Sequence, residues 1–471
     1  MSDETHAAWW KFWNWPWSVW GLLVVVLLAL TPFAVRACFL ANVPDLGEPF
    51  DVEAFVGDVI PPEENAFTEY RAAQSMRVHL IEGLRLKGVT EPANHDEVYK
   101  NGWEAADTAM RAWVDDHRPA LALWRRGSEK ERALDASPAS MTFSTLLAAT
   151  QELRGFVRIG LVDQMRCLHE GDVDEAWKLA RAGYRSGGHA SHRGPMIAGL
   201  VGIALHAMSS GGMQRWAEHP AVTADQLRAG LAQVKADFPL YESQSNMMKT
   251  EYLALRNSLR IPGWMNNLGP VGGQVNEIPA RVQLGFFWMV GEPELTIRLY
   301  SHIIANQTRE IDQPLALRRK LVGSGFAMLF DTDPTVARAS GELDATQIDR
   351  AVTLSIVSKM LLPATKQVDN AYLRFLGRQA ALEVLLAAQA YRRDKGEFPV
   401  SLDALVPEYL EEVPLDPCDR SGGRILYRRD SPTKAVVWSV GEDGTDNDGS
   451  IEAEQGRPAD VGFELKAAEP K

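Results

Sequence analysis

The chain has 471 residues, too long for one ordinary core, and its composition is that of a folded protein, with 46% hydrophobic and 24% charged residues. A net charge of −13 repels phosphate backbones, and no basic stripe offsets it, so no nucleic-acid partner is expected. The three cysteines, Cys38, Cys167 and Cys418, are too far apart for metal-ligand spacing or a disulfide-dense scaffold. They read as buried free thiols, with a single Cys167–Cys418 bridge as the alternative.

From Phe12 to Val35 there is no charge. At about 1.5 Å per helical residue this run is long enough to cross a hydrocarbon core of roughly 30 Å. Its centre, GLLVVVLLAL at Gly21–Leu30, is continuous Leu and Val, and Trp9, Trp10, Trp13, Trp15, Trp17 and Trp20 crowd its N-terminal edge. Indole rings settle at membrane interfaces, because the ring is apolar and the N–H needs a wet partner. Lys11 and Arg36 nearly balance across the span. Beyond it come Asp45, Glu48, Asp51, Glu53, Asp58, Glu63, Glu64 and Glu69 without a Lys or Arg, so nothing holds that flank inside. The expectation is a single-pass anchor in a bacterial inner membrane, N-terminus cytoplasmic and bulk extracytoplasmic. Residues 1–36 form the cytoplasmic segment and anchor, and residues 37–64, with Pro44, Gly47, Pro49, Gly57, Pro61 and Pro62, an extended acidic juxtamembrane linker.

Residues 65–363 read as a helical domain. Pro61-Pro62-Glu63-Glu64-Asn65 looks like a helix entrance. Leu153, Phe156, Ile159, Leu161, Met165 and Leu168 make a helical stripe that stops at Glu170-Gly171-Asp172 and resumes with Val173, Ala176, Trp177 and Ala180, which is a helix–turn–helix pair. Thr223 before Gln226 and Asp344 before Gln347 have capping-box spacing. Gly194–Ser209 is apolar but short and holds His206, so it reads as a buried core helix rather than a second span. No 34-residue period survives along the chain, which leaves an irregular multi-helix body.

Residues 364–471 change texture. Thr365–Lys395 reads as one long helix ended by Gly396 and Pro399. Ile425-Leu426-Tyr427 and Ala435–Ser439 then read as strands around a turn at Asp430-Ser431-Pro432-Thr433, a small antiparallel sheet packing on the helix. The fold class is therefore mainly α, with an N-terminal transmembrane helix, an irregular helical body and a C-terminal α+β module. The stretches YRRDKGEFP at Tyr391–Pro399 and SVGEDG at Ser439–Gly444, with Ser401-Leu402, Ala404-Leu405, Pro414-Leu415-Asp416-Pro417 and Tyr427 between them, give this module its further character. In order and spacing it resembles the soluble domain of the type II secretion major pseudopilin, over roughly residues 365–465.

That resemblance implies a calcium ion held by the Val440 carbonyl, Asp443, and Asp446 or Asp448. The chemistry agrees, since calcium takes six to eight hard oxygen ligands and glycines let the acidic run fold around an ion. A solvated acidic turn is the competing reading, because Asp, Asn and Gly also form turns. Two features depart from the family. The anchor has no Glu near the start of its hydrophobic helix, and roughly 330 residues separate it from the module. A filament subunit is not implied; recognition or scaffolding is.

His189-Ala190-Ser191-His192 spaces two histidines for one helical face, but no third metal ligand can be nominated, and the pair reads as polar loop residues. Asp115, Asp116 and His117 are adjacent, so a helix points them apart. Trp103, Trp113, Trp124 and Trp177 read as core rather than groove. No nucleotide-binding, zinc-protease or nucleophile-elbow motif is present. The expected function is a non-enzymatic envelope protein that binds protein partners, secretion components among the candidates, with an envelope enzyme sited in the helical body as the alternative. A cleft joining His189 or His192 to distant carboxylates favours the enzyme; an apolar groove favours the binder.

Overall fold

The structure, a computed structural model, describes residues 17–260, 291–325, 327–355, 365–451 and 459–467. Within them the chain is mainly helical, with an N-terminal apolar helix and a three-stranded antiparallel sheet at the C-terminal end, as the sequence predicts. Helix α1 (Trp17–Asn42) is long and apolar enough to cross a membrane by length and composition, reaching a mean hydropathy of 2.4. Leu22, Leu27 and Leu28 touch no protein core and stay exposed, which suits a lipid-facing surface. Trp17 and Trp20 are exposed at its start; Trp9, Trp10, Trp13 and Trp15 lie outside the described residues.

The acidic segment after α1 runs along the body rather than into solvent. Val43 and Leu40 meet Leu295 and Leu299, and Glu48 pairs with Arg256 at 2.5 Å. Its short helix α2 (Val52–Val56), capped by Asp51, lays Phe50 and Phe55 against a core. His302 donates from Nε2 to the Pro44 carbonyl at 3.0 Å and accepts the Leu343 N–H at Nδ1, which fixes its tautomer.

The body begins with α3 (Ala66–Leu86), α4 (His95–Asn101) and α5 (Thr108–Ser128). Helix α3 is capped by Asn65, beyond the paired prolines, because the Asn65 side-chain oxygen Oδ1 accepts the N–H groups of both Phe67 and Leu134 at 3.0 Å. The expected helix pair is α6 (Ala148–Glu170) and α7 (Val173–Ser191). Gly171 sits between them at φ 79°, a left-handed turn open to glycine, and Asp172 caps the second helix. Next come α8 (Met196–Glu218), α9 (Ala224–Asp237) and α10 (Gln244–Arg260). Helix α8 buries Val201, Leu205, His206, Met213 and Trp216, so the stretch at Gly194–Ser209 belongs to a core helix.

Helix α11 (Glu292–Thr308), the hairpin of β1 (Leu321–Val322) and β2 (Leu329–Phe330), and helices α12 (Pro334–Ala339) and α13 (Ala345–Leu354) follow. Both capping boxes form, at Thr223 with Gln226 and at Asp344 with Gln347. Helices α10, α11 and α13 and the hairpin enclose one core around Tyr252, Leu253, Ile303 and Phe330. The larger core runs through α3 to α9 and continues, unbroken, into the C-terminal module.

That module is α14 (Thr365–Lys395) with β3 (Leu426–Ser431), β4 (Lys434–Ser439) and β5 (Val461–Lys466), paired in that order. Ala435 and Val437 on β4, with Phe463 and Leu465 on β5, alternate toward α14 in the period of two that a strand imposes. Strand β5 has no counterpart in the sequence reading. Cys167 and Cys418 are free thiols buried in separate clusters.

Helices α7 and α8 approach backbone to backbone. A Cβ on Gly202 would stand 2.5 Å from the Gly187 carbonyl oxygen, and one on Gly187 2.9 Å from the Gly202 oxygen. Gly202→Ala is expected to destabilise by about 1–3 kcal/mol in urea titration, as overpacking does. Gly83→Ala on α3, where a Cβ meets nothing within 4 Å, should instead stabilise by about 0.5–1 kcal/mol, the helical preference for alanine.

Candidate functional site

The acidic loop leaves β4 at a fixed point. Asp416, 3% exposed, accepts the Ser439 hydroxyl at 2.6 Å, the Val440 N–H at 2.8 Å and the Cys418 N–H at 2.9 Å. Burial pushes its carboxyl above the usual range despite these donors. The loop then turns on Gly441, Gly444 and Gly449, all at positive φ. Asp443 accepts the Thr445 N–H at 2.9 Å, a local turn of its own. Asp446 accepts the Trp438 indole N–H at 3.0 Å and the Asp448 N–H at 2.9 Å. Asp448 faces away, paired with Arg428 at 3.0 Å.

At the centre is Asp460, fully buried, whose carboxylate accepts the N–H groups of Asn447, Gly449 and Ser450 at 3.3, 2.9 and 3.0 Å. Burial raises its pKa, and the charge on Asp446 raises it further. Of the four residues named from the sequence, Asp446 therefore neighbours this carboxylate, Val440 is fixed through Asp416, and Asp443 and Asp448 are engaged elsewhere. No three His, Cys, Asp or Glu side chains gather into a metal-holding group among the described residues. Asp460 was missed because it stands beyond the acidic run, at the entrance to the unforeseen β5. In donor type the loop does fit calcium: Asp446 and Asp460 are hard oxygens whose mutual repulsion a divalent cation relieves.

A second constellation lies in the body. The last turn of α7, residues 57–60, residues 131–133 and Pro239-Leu240 surround a cleft of about 450 Å³. His189 and His192 both line it, but His189 is a helical residue shut inside the protein, not a loop residue. Its Nδ1 lies 2.8 Å from the Tyr70 hydroxyl. Burial first, then the charge of Arg185, pushes its pKa down to about 3. Arg185 is itself buried, donating to the Ser128 and Lys130 carbonyls and pairing with Asp237.

His192 pairs with Glu242 at 3.3 Å. Burial pushes the Glu242 carboxyl up, but donors from His192, Asn246 and the Arg193 N–H outweigh it and hold it at about 2. Arg193 and Asp448 are the non-glycine residues at positive φ among the described residues, one in each of these sites. Backbone strain of that kind persists where surrounding contacts over-determine it.

Asp115 and Asp116 are exposed while His117 is buried on the other side of α5, as the helix requires. Trp103, Trp113, Trp124 and Trp177 are all core. A smaller apolar groove of about 290 Å³ is lined by Phe143, Met196, Ile197 and Leu200, with Glu251 also among its lining residues.

The Glu242 cluster carries a pH dependence of definite sign. A carboxyl held below its unfolded value adds stability that is complete above about pH 4.5 and lost as pH falls through its folded value. Glu242→Gln should lower stability at pH 7 by about 2–3 kcal/mol. The gap between wild type and variant should close between pH 5 and pH 2 in acid-denaturation curves. Comparison of the chain with protein-family models, with curated proteins and with solved structures finds no match.

Proposed function

We propose that the chain is a non-enzymatic, single-pass envelope protein, anchored in a bacterial cytoplasmic membrane with its N-terminus inside. Its extracytoplasmic body and pseudopilin-like end bind other envelope proteins, including secretion components. The observation that carries this reading is the placement of α14. The helix that begins the pseudopilin-like module is buried by the body on one side and by its own sheet on the other. A module fixed in this way is a permanent head on an anchored body. A filament subunit needs its leading helix free to pack against copies, and here that surface is already covered.

The enzyme reading draws on one observation, the cleft lined by His189 and His192 together with Asp58 and Glu131, with His192 paired to Glu242. Its chemistry favours binding. A general acid or base works best with a pKa near the working pH, and His189 is pushed down to about 3. His192 is tied to a carboxylate that stays ionised above about pH 2.

Calcium belongs to this proposal through Asp446, Asp460 and the loop carbonyls. Bound there, the ion supplies positive charge that closes the loop on β4 and β5. Melting the full chain in detergent, with a few millimolar calcium and again with chelator, tests it. With a dissociation constant of about 10⁻⁴–10⁻³ M the ion should add roughly 1–2 kcal/mol, a rise of about 1–2 °C in a chain of this length. Asp446→Asn and Asp460→Asn should each abolish the rise, and coincident melts remove the ion. Orientation has its own readout: Val59→Cys, at a 90% exposed position, combined with Cys38→Ser, should react with a membrane-impermeant maleimide added outside intact inner membranes. Reaction only after lysis reverses the topology.

A further inference from the structure

A third and smaller pocket lies between α8 and α14. Ile203 and His206 on the first helix face Arg374, Phe375 and Arg378 on the second around a volume of about 170 Å³. Arg374 and Arg378 are one helical turn apart, so their side chains leave α14 as neighbours, with about 5–6 Å between Cβ atoms. Each guanidinium feels the other. Burial first, then the charge of Arg374, pushes the Arg378 pKa below its usual value.

A carboxylate is the ordinary partner for such a pair, and the two arginines differ in having one. Arg374 donates from Nη1 to Glu442 at 2.8 Å. Arg378 is half-buried, and among the described residues it makes no ion pair and no hydrogen bond. Its guanidinium carbon lies 5.6 Å from the centroid of the Phe463 ring, a contact that attracts the charge and leaves the N–H groups without protein acceptors. His206 adds no charge to the pocket, since burial holds its pKa at about 3 and its Nε2 is engaged with Gln379. A cation half withdrawn from water beside a second cation is costly without an anion to share.

We propose that this pocket binds a small tetrahedral oxyanion, inorganic phosphate or the phosphate end of a small monoester, held by Arg378 and by Arg374 in exchange for part of its contact with Glu442. Two guanidinium forks offer more donors than the two oxygens of a carboxylate can use, whereas a tetrahedral ion turns an oxygen pair to each fork. The aliphatic and aromatic walls at Ile203 and Phe375 strengthen the attraction by lowering the local dielectric. A volume below the roughly 300 Å³ at which ordinary ligand pockets begin suits an ion of this size and excludes a nucleotide. The site uses neither the calcium loop nor a protein partner, so it and the reading of the chain as an anchored binding module can fail separately.

Isothermal titration of the full chain in detergent with inorganic phosphate, in the presence of chelator and at constant ionic strength, tests the assignment. Saturable binding is expected, with acetate weaker by roughly tenfold or more. Glycerol phosphate is the second probe: tighter binding than phosphate assigns the site to monoesters, weaker binding to the free ion. Arg378→Leu keeps an apolar stem against Phe463 and removes the fork, so phosphate affinity should fall by roughly tenfold or more. Its melting temperature without phosphate should not fall, because no ion pair is lost. Arg378→Lys, which keeps the charge without the fork, should weaken phosphate by less. Glu442→Gln should tighten it, by freeing the Arg374 fork.

No saturable binding of phosphate or glycerol phosphate overturns the proposal. A purely structural Arg378 gives the opposite pattern in Arg378→Leu, a lower melting temperature with phosphate affinity intact, and that result also overturns it. Acetate as tight as phosphate overturns the tetrahedral assignment, and affinity unchanged in Glu442→Gln overturns the part given to Arg374.

Discussion

Everything C-terminal in this protein depends on how α14 is buried. At 31 residues the helix is roughly 46 Å long, more than its own three-stranded sheet can cover. Its first half carries Tyr372 and Phe375 against Met247, Phe238 and Tyr241 of the body, and its middle and end join the main core with α8, α9, β4 and β5. Gln379 ties these regions at one point. Its side-chain oxygen accepts from the Tyr184 hydroxyl at 2.9 Å and from His206 Nε2 at 3.1 Å, while its amide donates to Glu383 at 2.9 Å. Burial keeps His206 neutral, pushed down to about 3, so its N–H can donate without bringing a charge into the core. A polar network of this kind is favourable only when fully satisfied, and satisfying it requires α7, α8 and α14 to meet in one register.

The same constraint explains the closeness of α7 and α8. For Tyr184 and His206 to reach one amide, the two helices must come together where Gly187 and Gly202 leave no side chain between backbones. Ser186, next to that contact, orients Tyr70 and Trp124 through its hydroxyl. The packing that fixes α14 is thus continuous with the packing that sets the ring of His189. Core and cleft are two ends of one helix interface.

Local signals were legible in the sequence where the physics is local. The C-terminal end of α14, the Gly171 turn and the capping boxes at Thr223 and Asp344 rest on interactions within a few residues, and each appears where expected. Strand β5 was not legible, because its short alternation gains meaning only from pairing with β4. Asp460 followed it out of sight: a lone acid before a strand looks solvated until the loop at 447–450 folds over it. His189 illustrates the same limit over a longer range, since its partner Tyr70 is 119 positions away. Spacing within a motif shows which faces residues share, and burial depends on elements the motif does not contain.

One consequence of that long-range assembly joins the N-terminal apolar helix to the cleft. The segment that emerges from α1 does not hang free: Leu40 and Val43 pack on α11, Glu48 is paired with Arg256, and Phe50 and Phe55 sit in the α10–α11 core. It then reaches Val56, Gly57 and Asp58, and these residues are a wall of the cleft. Arg193 is held by the Val56 carbonyl itself. The guanidinium, and with it the charge in the cleft, is therefore positioned by the stretch of chain that follows α1. The Arg193 backbone is held independently, its N–H by Glu242 and its carbonyl by Thr250, so releasing that stretch would free the guanidinium alone. The position of the segment after α1 and the placement of the charge in the cleft are in this sense coupled.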